Sequence, residues 1–267
     1  MPIECSVPIQ PLVQDEFHSL DKIVMKHAFA VHNQLGRFFD EKIYQAELIR
    51  RCQQDGIAAR HEVMISVTYR TFRKDFFLDA VFSSGAVYEL KCVASLAGGN
   101  ESQLIRYLLL AGVQHGKLIN FRPPSVESRF VSTGLTHEKR QTFHLDVSRV
   151  QSAGAQCKLV KGLIPALLKD RGAFLSVELY REAVVHFLGG EQQVVCPVEV
   201  LCDGQTIGRK NICLIDGKSA LHLSAMTHGL VGYETHLHRF LCHTKLDSIQ
   251  WINFNQDQIS FRTVLQK

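Results

Sequence analysis

FFLDAVFSSGAVYELK, residues 76–91, is the stretch on which the reading of this chain turns. Both halves are rich in aromatic and β-branched residues, and Ser83-Ser84-Gly85 interrupts them, so the segment reads as two strands joined by a tight hairpin. Side chains alternate across a strand, which puts Phe77, Asp79 and Val81 on one face and Glu89 with Lys91 on one face. Folding back at Ser84 can bring Asp79 close to Glu89 and Lys91. Leu78, Val87, Tyr88, Leu90 and Val93 make the flanks nearly continuously apolar, the pattern of buried central strands. Charges in such strands demand a reason, because burying them unpaired is costly. Carboxylates are the hard oxygen ligands magnesium prefers, and a neighbouring lysine can orient or help deprotonate an attacking water. The competing reading is a surface salt-bridge cluster.

The pattern extends outward on both sides. HEVMISVTYR (61–70) reads as a preceding strand and KLINF (117–121) as a short buried one, ended by Pro123-Pro124. Upstream, Leu20, Ile23, Val24, Ala28 and Val31 recur at helical spacing. A second helical run follows Gly36 with Phe39, Ile43, Ala46, Leu48 and Ile49, and Gly56 closes it. SQLIRYLLLAG (102–112) returns to helical spacing. The order α-α-β-β-β-α-β is that of a mixed sheet flanked by helices.

The bulk numbers set limits. With 267 residues, 46% hydrophobic and 21% charged, the chain has the composition of a soluble globular protein of one large or two small domains. A net charge of +4 permits a polyanionic partner without requiring one, and argues against an acidic DNA mimic. MPIECSVPIQPLVQDEF lacks the basic-then-apolar layout of a secretory signal, and no apolar run approaches 18 residues, so a cytoplasmic, non-membrane setting is expected. The eight cysteines show no CxxC spacing and read as reduced, mostly buried thiols.

A comparison of the chain with itself is informative. From Glu101 and Glu234 onward, Glu101, Leu104, Arg106, Leu108, Ile119, Asn120 and Phe121 face Glu234, Leu237, Arg239, Leu241, Ile252, Asn253 and Phe254 without a gap. Upstream, LGRFFDEKIY resembles RGAFLSVELY, aligning Gly36 with Gly172 and Tyr44 with Tyr180. The expected fold is therefore α/β, with two tandem units, each a mixed central sheet flanked by helices, related by pseudo-twofold symmetry. The divisions are 1–131, a polar linker over 132–158, and 159–267. In the second unit Val177 replaces Glu41, His222 faces Glu89, Ser224 faces Lys91 and His236 faces Gln103, while the place of Asp79 falls at Asn211 or Ile212. Without paired carboxylates that unit should not hold magnesium in the same way.

The arrangement Asp-x9-Glu-x-Lys, preceded by a helix with a glutamate and followed by one with a glutamine, resembles the PD-(D/E)XK nuclease superfamily. More narrowly, AVHNQLG, EKIY, YELK, SQLIRYL and GKLINF are similar to stretches of its GxxExxY proteins, over about residues 20–132. The resemblance implies a restriction-endonuclease-like fold and a magnesium-dependent deoxyribonuclease, with manganese as an alternative ion. Asp79, Glu89 and Glu41 would be metal ligands, Lys91 would position the nucleophilic water, and Gln103 would complete the catalytic set. Gln103 and Tyr107, four residues apart on one helical face, would line the site near the substrate backbone. Read from the residues themselves, Arg106, which recurs as Arg239, is a candidate substrate contact to phosphate or else a helix-surface salt bridge, and Arg73 and Lys74 at the start of the Asp79 strand either guide a polyanion or are simply solvated. Phe38 stands where the motif has its naming glycine, and Asn100 where a histidine often precedes the glutamine. The implied partner is nucleic acid, DNA rather than RNA, and no membrane; a homodimer is open beside the intrachain pseudo-dimer. The alternative is a catalytically inactive nucleic-acid-binding or scaffold protein that keeps the nuclease fold. THLHRFLCH (235–243) has spacing that could serve zinc, though the internal repeat already accounts for it.

Overall fold

The computed structural model describes residues 3–151 and 154–266. The chain divides into two compact units, Met1–His137 and Glu138–Lys267.

Unit 1 runs β1 (Ile3–Cys5), α1 (Gln14–Leu35), α2 (Glu41–Gln54), β2 (Ala59–Tyr69), β3 (Phe72–Phe82), β4 (Ala86–Lys91), α3 (Gly98–Ala111), β5 (His115–Asn120) and β6 (Glu127–Ser132). Its sheet has the order β1-β2-β3-β4-β5-β6. Only the β4–β5 pair is parallel, because α3 carries the chain back across the sheet between them. Ala80, Phe82, Ala86, Tyr88 and Leu90 from the hairpin pack with Val24, Ala28, Val31, Tyr44 and Leu48 from α1 and α2 in one core.

Helix α1 begins well before Leu20, and its inward stripe runs Phe17, Asp21, Val24, Ala28, Val31. Asp21 hides the first part of that stripe from an apolar count. It is buried because it is satisfied there: the Tyr88 hydroxyl donates to its Oδ1 at 2.9 Å, and Lys117 Nζ lies 2.5 Å from its Oδ2.

The hairpin turn holds Ser83 and Ser84 at φ 47° and 60°. Gly85 is required by crowding, since a Cβ there would lie 2.1 Å from the Gln10 carbonyl oxygen. That close approach belongs to the N-terminal segment, whose Gln10 amide donates to the Ser84 carbonyl at 2.7 Å.

Unit 2 opens with α4 (His137–Gln141), whose first residue is the last of unit 1. It continues with β7 (His144–Arg149), α5 (Gly154–Arg171), α6 (Val177–Phe187), the short α7 (Glu191–Val194), β8 (Val195–Cys202) and β9 (Gln205–Cys213). Then come β10 (Ser219–Ser224), α8 (Leu230–Cys242), β11 (Ser248–Asn255) and β12 (Gln258–Leu265). One sheet has the order β10-β11-β12-β7, and β8-β9 form a separate two-stranded ribbon. The stretch 132–158, read from sequence as a linker, thus includes α4 and a strand, β7, that pairs with β12. Ser152 and Ala153 within that stretch lie outside the described residues.

Several local arrangements occur in both units. The Tyr44 hydroxyl donates to the Gly36 carbonyl at 2.8 Å, and that of Tyr180 to the Gly172 carbonyl at 2.5 Å. Tyr44 stacks on Phe121 at 4.6 Å, and Tyr180 on Phe254 at 4.7 Å. The Asn120 amide binds both the N–H and the carbonyl of Val93, as that of Asn253 does with Met226. Arg129 pairs with Glu101, and Arg262 with Glu234. The β10–β11 pair is parallel and β11–β12 antiparallel, as are β4–β5 and β5–β6.

Candidate active site

The site of unit 1 forms where its central hairpin comes apart. β3 and β4 pair through Phe82↔Ala86, Val81↔Val87 and Ala80↔Tyr88. At the next step Asp79 Oδ2, a side-chain oxygen, accepts the Leu90 amide at 2.9 Å. A carboxylate has taken the place of a ladder carbonyl, and the two strands diverge around it. On the other flank β2 pairs with β3 at His61↔Ala80 and Val63↔Leu78, while Glu62 between them is pushed to φ 49°. The Asp79 carbonyl is held instead by the side-chain amide of Gln45 from α2.

This irregularity corrects one expectation. Phe76 meets Tyr107 of α3 edge-on at 6.4 Å, whereas Ala80 packs in the core with α1 and α2. Both positions are even and would share a face on a regular strand. The alternation therefore does not run through Asp79, and Phe77, Asp79 and Val81 do not form one stripe: Phe77 is 52% exposed and Val81 only 3%.

Glu89 is 1% exposed. Lys91 Nζ lies 2.6 Å from its Oε1, while Oε2 is buried and meets no donor among the described residues unless Asp79 and Glu89 share a proton between their carboxyls. Burial first, and the Asp79 charge second, push the Glu89 carboxyl up to about 7. Burial likewise raises Asp79, against the Leu90 amide and Lys91, which favour its ionised form. Glu41 opens α2. Burial raises its carboxyl too, opposed by Lys91 and by a hydrogen bond from the Cys92 amide, with Asp79 adding to the rise. Burial works against the Lys91 ammonium, but Glu89, Glu41 and Asp79 outweigh it and leave its pKa above the ordinary lysine value. Without a bound cation Lys91 is thus charged at neutral pH.

Glu41, Asp79, Glu89 and Lys91 stand near enough to act on one another's charge. Gln103 and Tyr107 lie on one face of α3, 3.4 Å apart from Nε2 to hydroxyl, and Tyr107 meets Phe76 of β3 edge-on. The Arg106 guanidinium stacks over the Phe76 and Tyr107 rings at 5.8 and 5.5 Å, and its buried Nε has no partner among the described residues. Arg73 is engaged by Asp75 at 2.9 Å and by Ser66, so it braces β2 against β3. Lys74 precedes Asp79 by five positions on β3. Sequence reasoning missed Gln45, Glu62 and the Leu90 and Cys92 amides. Gln45 alone left a signal, as it stands one helical turn after Glu41 and shares its face.

The donors suit a hard divalent cation: Glu41, Asp79 and Glu89 interact electrostatically with one another, and one oxygen of the buried Glu89 meets no donor among the described residues. Among the described residues, no three His, Cys, Asp or Glu side chains stand close enough to hold an ion by themselves.

Residues 18–131 match the family model of the PD-(D/E)XK nuclease superfamily. The match covers less than half of the chain and contains every residue of the cluster. No curated protein and no solved structure matches the chain. Among the described residues no helix is long and apolar enough to cross a membrane.

Proposed function

We propose that unit 1 is a metal-dependent nuclease domain that hydrolyses phosphodiester bonds, and that unit 2 is a decayed copy of it without a catalytic site. The observation that carries the first part is the buried, unpartnered Glu89 Oε2 beside Asp79 and Lys91, at the point where β3 and β4 separate. A buried carboxylate oxygen without a donor is costly, and a bound cation would relieve that cost. Asp79 and Glu89 would be its principal ligands, with Glu41 completing or supporting the shell. Magnesium commonly keeps several waters and takes only one or two protein carboxylates, so Asp79 and Glu89 could serve as its protein ligands, and manganese could replace it. Such an ion would supply charge stabilisation to the phosphodiester in the transition state.

The side chains then have separate tasks. Lys91, whose Nζ lies 2.6 Å from Glu89 Oε1, would position the attacking water. The Leu90 amide fixes the Asp79 carboxylate, and Gln45 fixes its backbone. Gln103, Tyr107 and Arg106 present polar atoms from α3, where they would meet the sugar-phosphate backbone. DNA is taken ahead of RNA on the family resemblance.

Four features support a duplication: the common element order, the Tyr–Gly and Tyr–Phe contacts, the asparagine clamp and the Glu–Arg pair. On this reading the Leu214–Ala220 bridge matches Val81↔Val87, which sets Ile212 at the place of Asp79. Val177, Ile212, His222 and Ser224 then stand for Glu41, Asp79, Glu89 and Lys91. The second reading, a nuclease fold kept only for binding, is favoured by the absence of a ready-made three-ligand cage among the described residues.

Calorimetry with magnesium and manganese on the wild type and on Asp79→Ala/Glu89→Ala decides between them. Saturable heat at about millimolar affinity or tighter, lost in the folded double variant, is expected, together with metal-dependent cleavage of DNA. A folded wild type that gives no metal-dependent heat and cuts neither DNA nor RNA moves the assignment to the binding-only protein.

A further inference from the structure

Unit 2 has a cavity of about 490 Å³, open to solvent on one side, between α8, β9 and β10. Through the correspondence proposed above, its lining includes the places of Asp79, Glu89, Gln103 and Tyr107, now Ile212, His222, His236 and Phe240. No carboxylate stands at these four places, and a cavity opens beside them. Helix α3 buries Leu104, Tyr107, Leu108, Leu109 and Leu110, whereas α8 fully buries only Leu241. Tyr233, Leu237 and Phe240 stay half-open toward the cavity instead of closing it.

The remaining surface has a definite chemistry. Leu221, Leu223 and Leu237 give apolar walls, and Phe240 and Tyr233 add rings. The His222 imidazole stacks on Tyr233 at 5.7 Å, and its Nε2 lies 2.6 Å from the Tyr233 hydroxyl. Burial lowers the His222 pKa, so the ring is neutral at physiological pH. With Asn211 and His236 it offers donors and acceptors to the edge of a flat polar ring. Arg181 and Lys210 supply positive charge to the lining against the single carboxylate of Glu191. Arg181 is partly committed to Glu178, which leaves Lys210, on the solvent-facing ribbon, as the main cation for an incoming anion.

We propose that this cavity is a nucleotide-binding pocket, taking a base against the Phe240, Tyr233 and His222 rings with its phosphate toward Lys210. The volume lies within the usual range of about 300–1,000 Å³ for small-molecule sites, and mixed apolar walls with a few converging polar groups are what such sites share. Stacking of a base on aromatic side chains contributes about 1–3 kcal/mol per base. The ligand can be a free nucleoside monophosphate or the terminal nucleotide of a strand, since both offer a base and a phosphate. The pocket lies wholly within unit 2, so this binding does not depend on whether unit 1 cuts nucleic acid.

The chain carries its own reporter. Trp251 is the single tryptophan, and its ring lies 5.4 Å from that of Tyr233. Titration of the full-length protein, without divalent metal, with each common nucleoside monophosphate should change Trp251 fluorescence saturably, and calorimetry should give the same constant. Phe240→Ala should weaken binding tenfold or more, about 1.4 kcal/mol. Lys210→Glu, at an exposed position, should weaken monophosphate binding by a similar factor while leaving the weaker binding of the parent nucleoside unchanged. A parallel titration with 5′-phosphorylated oligonucleotides separates the sources: strand binding much tighter than monophosphate binding identifies a strand end, and equal or weaker binding identifies the free nucleotide. No saturable signal by either method up to about 5 mM, with monophosphates and oligonucleotides alike, overturns the proposal. So does binding that ignores both substitutions. A folded protein that binds nucleotides but never cleaves nucleic acid would remove the nuclease reading of unit 1 and leave the pocket standing.

Discussion

Glu89 sets the behaviour of the metal-free site. Its folded-state pKa is raised to about 7, so the native state holds this proton more tightly than the unfolded chain does. The associated stability is fully present below the ordinary glutamate value and is lost as pH rises through about 7. Glu89→Gln keeps the group neutral at every pH. Melting curves without metal should therefore nearly coincide with the wild type at about pH 4.5 and show the variant more stable at about pH 8, by on the order of 2 kcal/mol. A shift of the same size at both pH values would sink the account. Asp21 makes a second case, because it is buried between Tyr88 and Lys117. Asp21→Ala strands the Lys117 ammonium, at 12% side-chain exposure, and should cost about 3 kcal/mol or more in chemical denaturation. Adding Lys117→Met should recover a good part of that loss, and no recovery would show that the charge was not the cause.

At the scale of elements, the hairpin was legible because its signals are local: apolar strands, a Ser-Ser-Gly turn, and charges where apolar residues were due. The meeting of Asp79 with Glu89 and Lys91 could be read from it. What could not be read is how β3 stops being regular, because that depends on other elements. Glu62 at φ 49° and Gln45 from α2 together break the ladder at Asp79, and neither residue type announces it. The start of α1 was missed for a similar reason, since Asp21 looks polar until Tyr88 and Lys117 are in place. The Gly85 requirement comes from Gln10, far upstream in the chain. Gln45 gives a test of the break. Gln45→Ala removes the side chain that holds the Asp79 carbonyl, and should lower divalent-metal affinity about tenfold while costing only about 1 kcal/mol of stability. Unchanged metal affinity in a folded variant would show that α2 does not position Asp79.

For the whole molecule, the two compact units carry the same asparagine clamp, Asn120 on Val93 and Asn253 on Met226. Each side chain bonds two backbone groups that would otherwise lack partners, so either asparagine changed to alanine should destabilise its own unit by about 2–4 kcal/mol. Calorimetric scans should show the Asn120→Ala effect in one transition and the Asn253→Ala effect in another. If both shift one common transition, the units unfold together. On the duplication reading, the clamp, the buried tyrosine and the Glu–Arg pair also sort residues by the demand that kept them. What both units share is what any such scaffold needs to stand. What only unit 1 has, Glu41, Asp79, Glu89, Lys91 and Gln103, is what a task beyond standing needs. The chain would then be its own evolutionary control, in which a substitution tolerated in one half predicts, position by position, whether its counterpart in the other is foundation or tool.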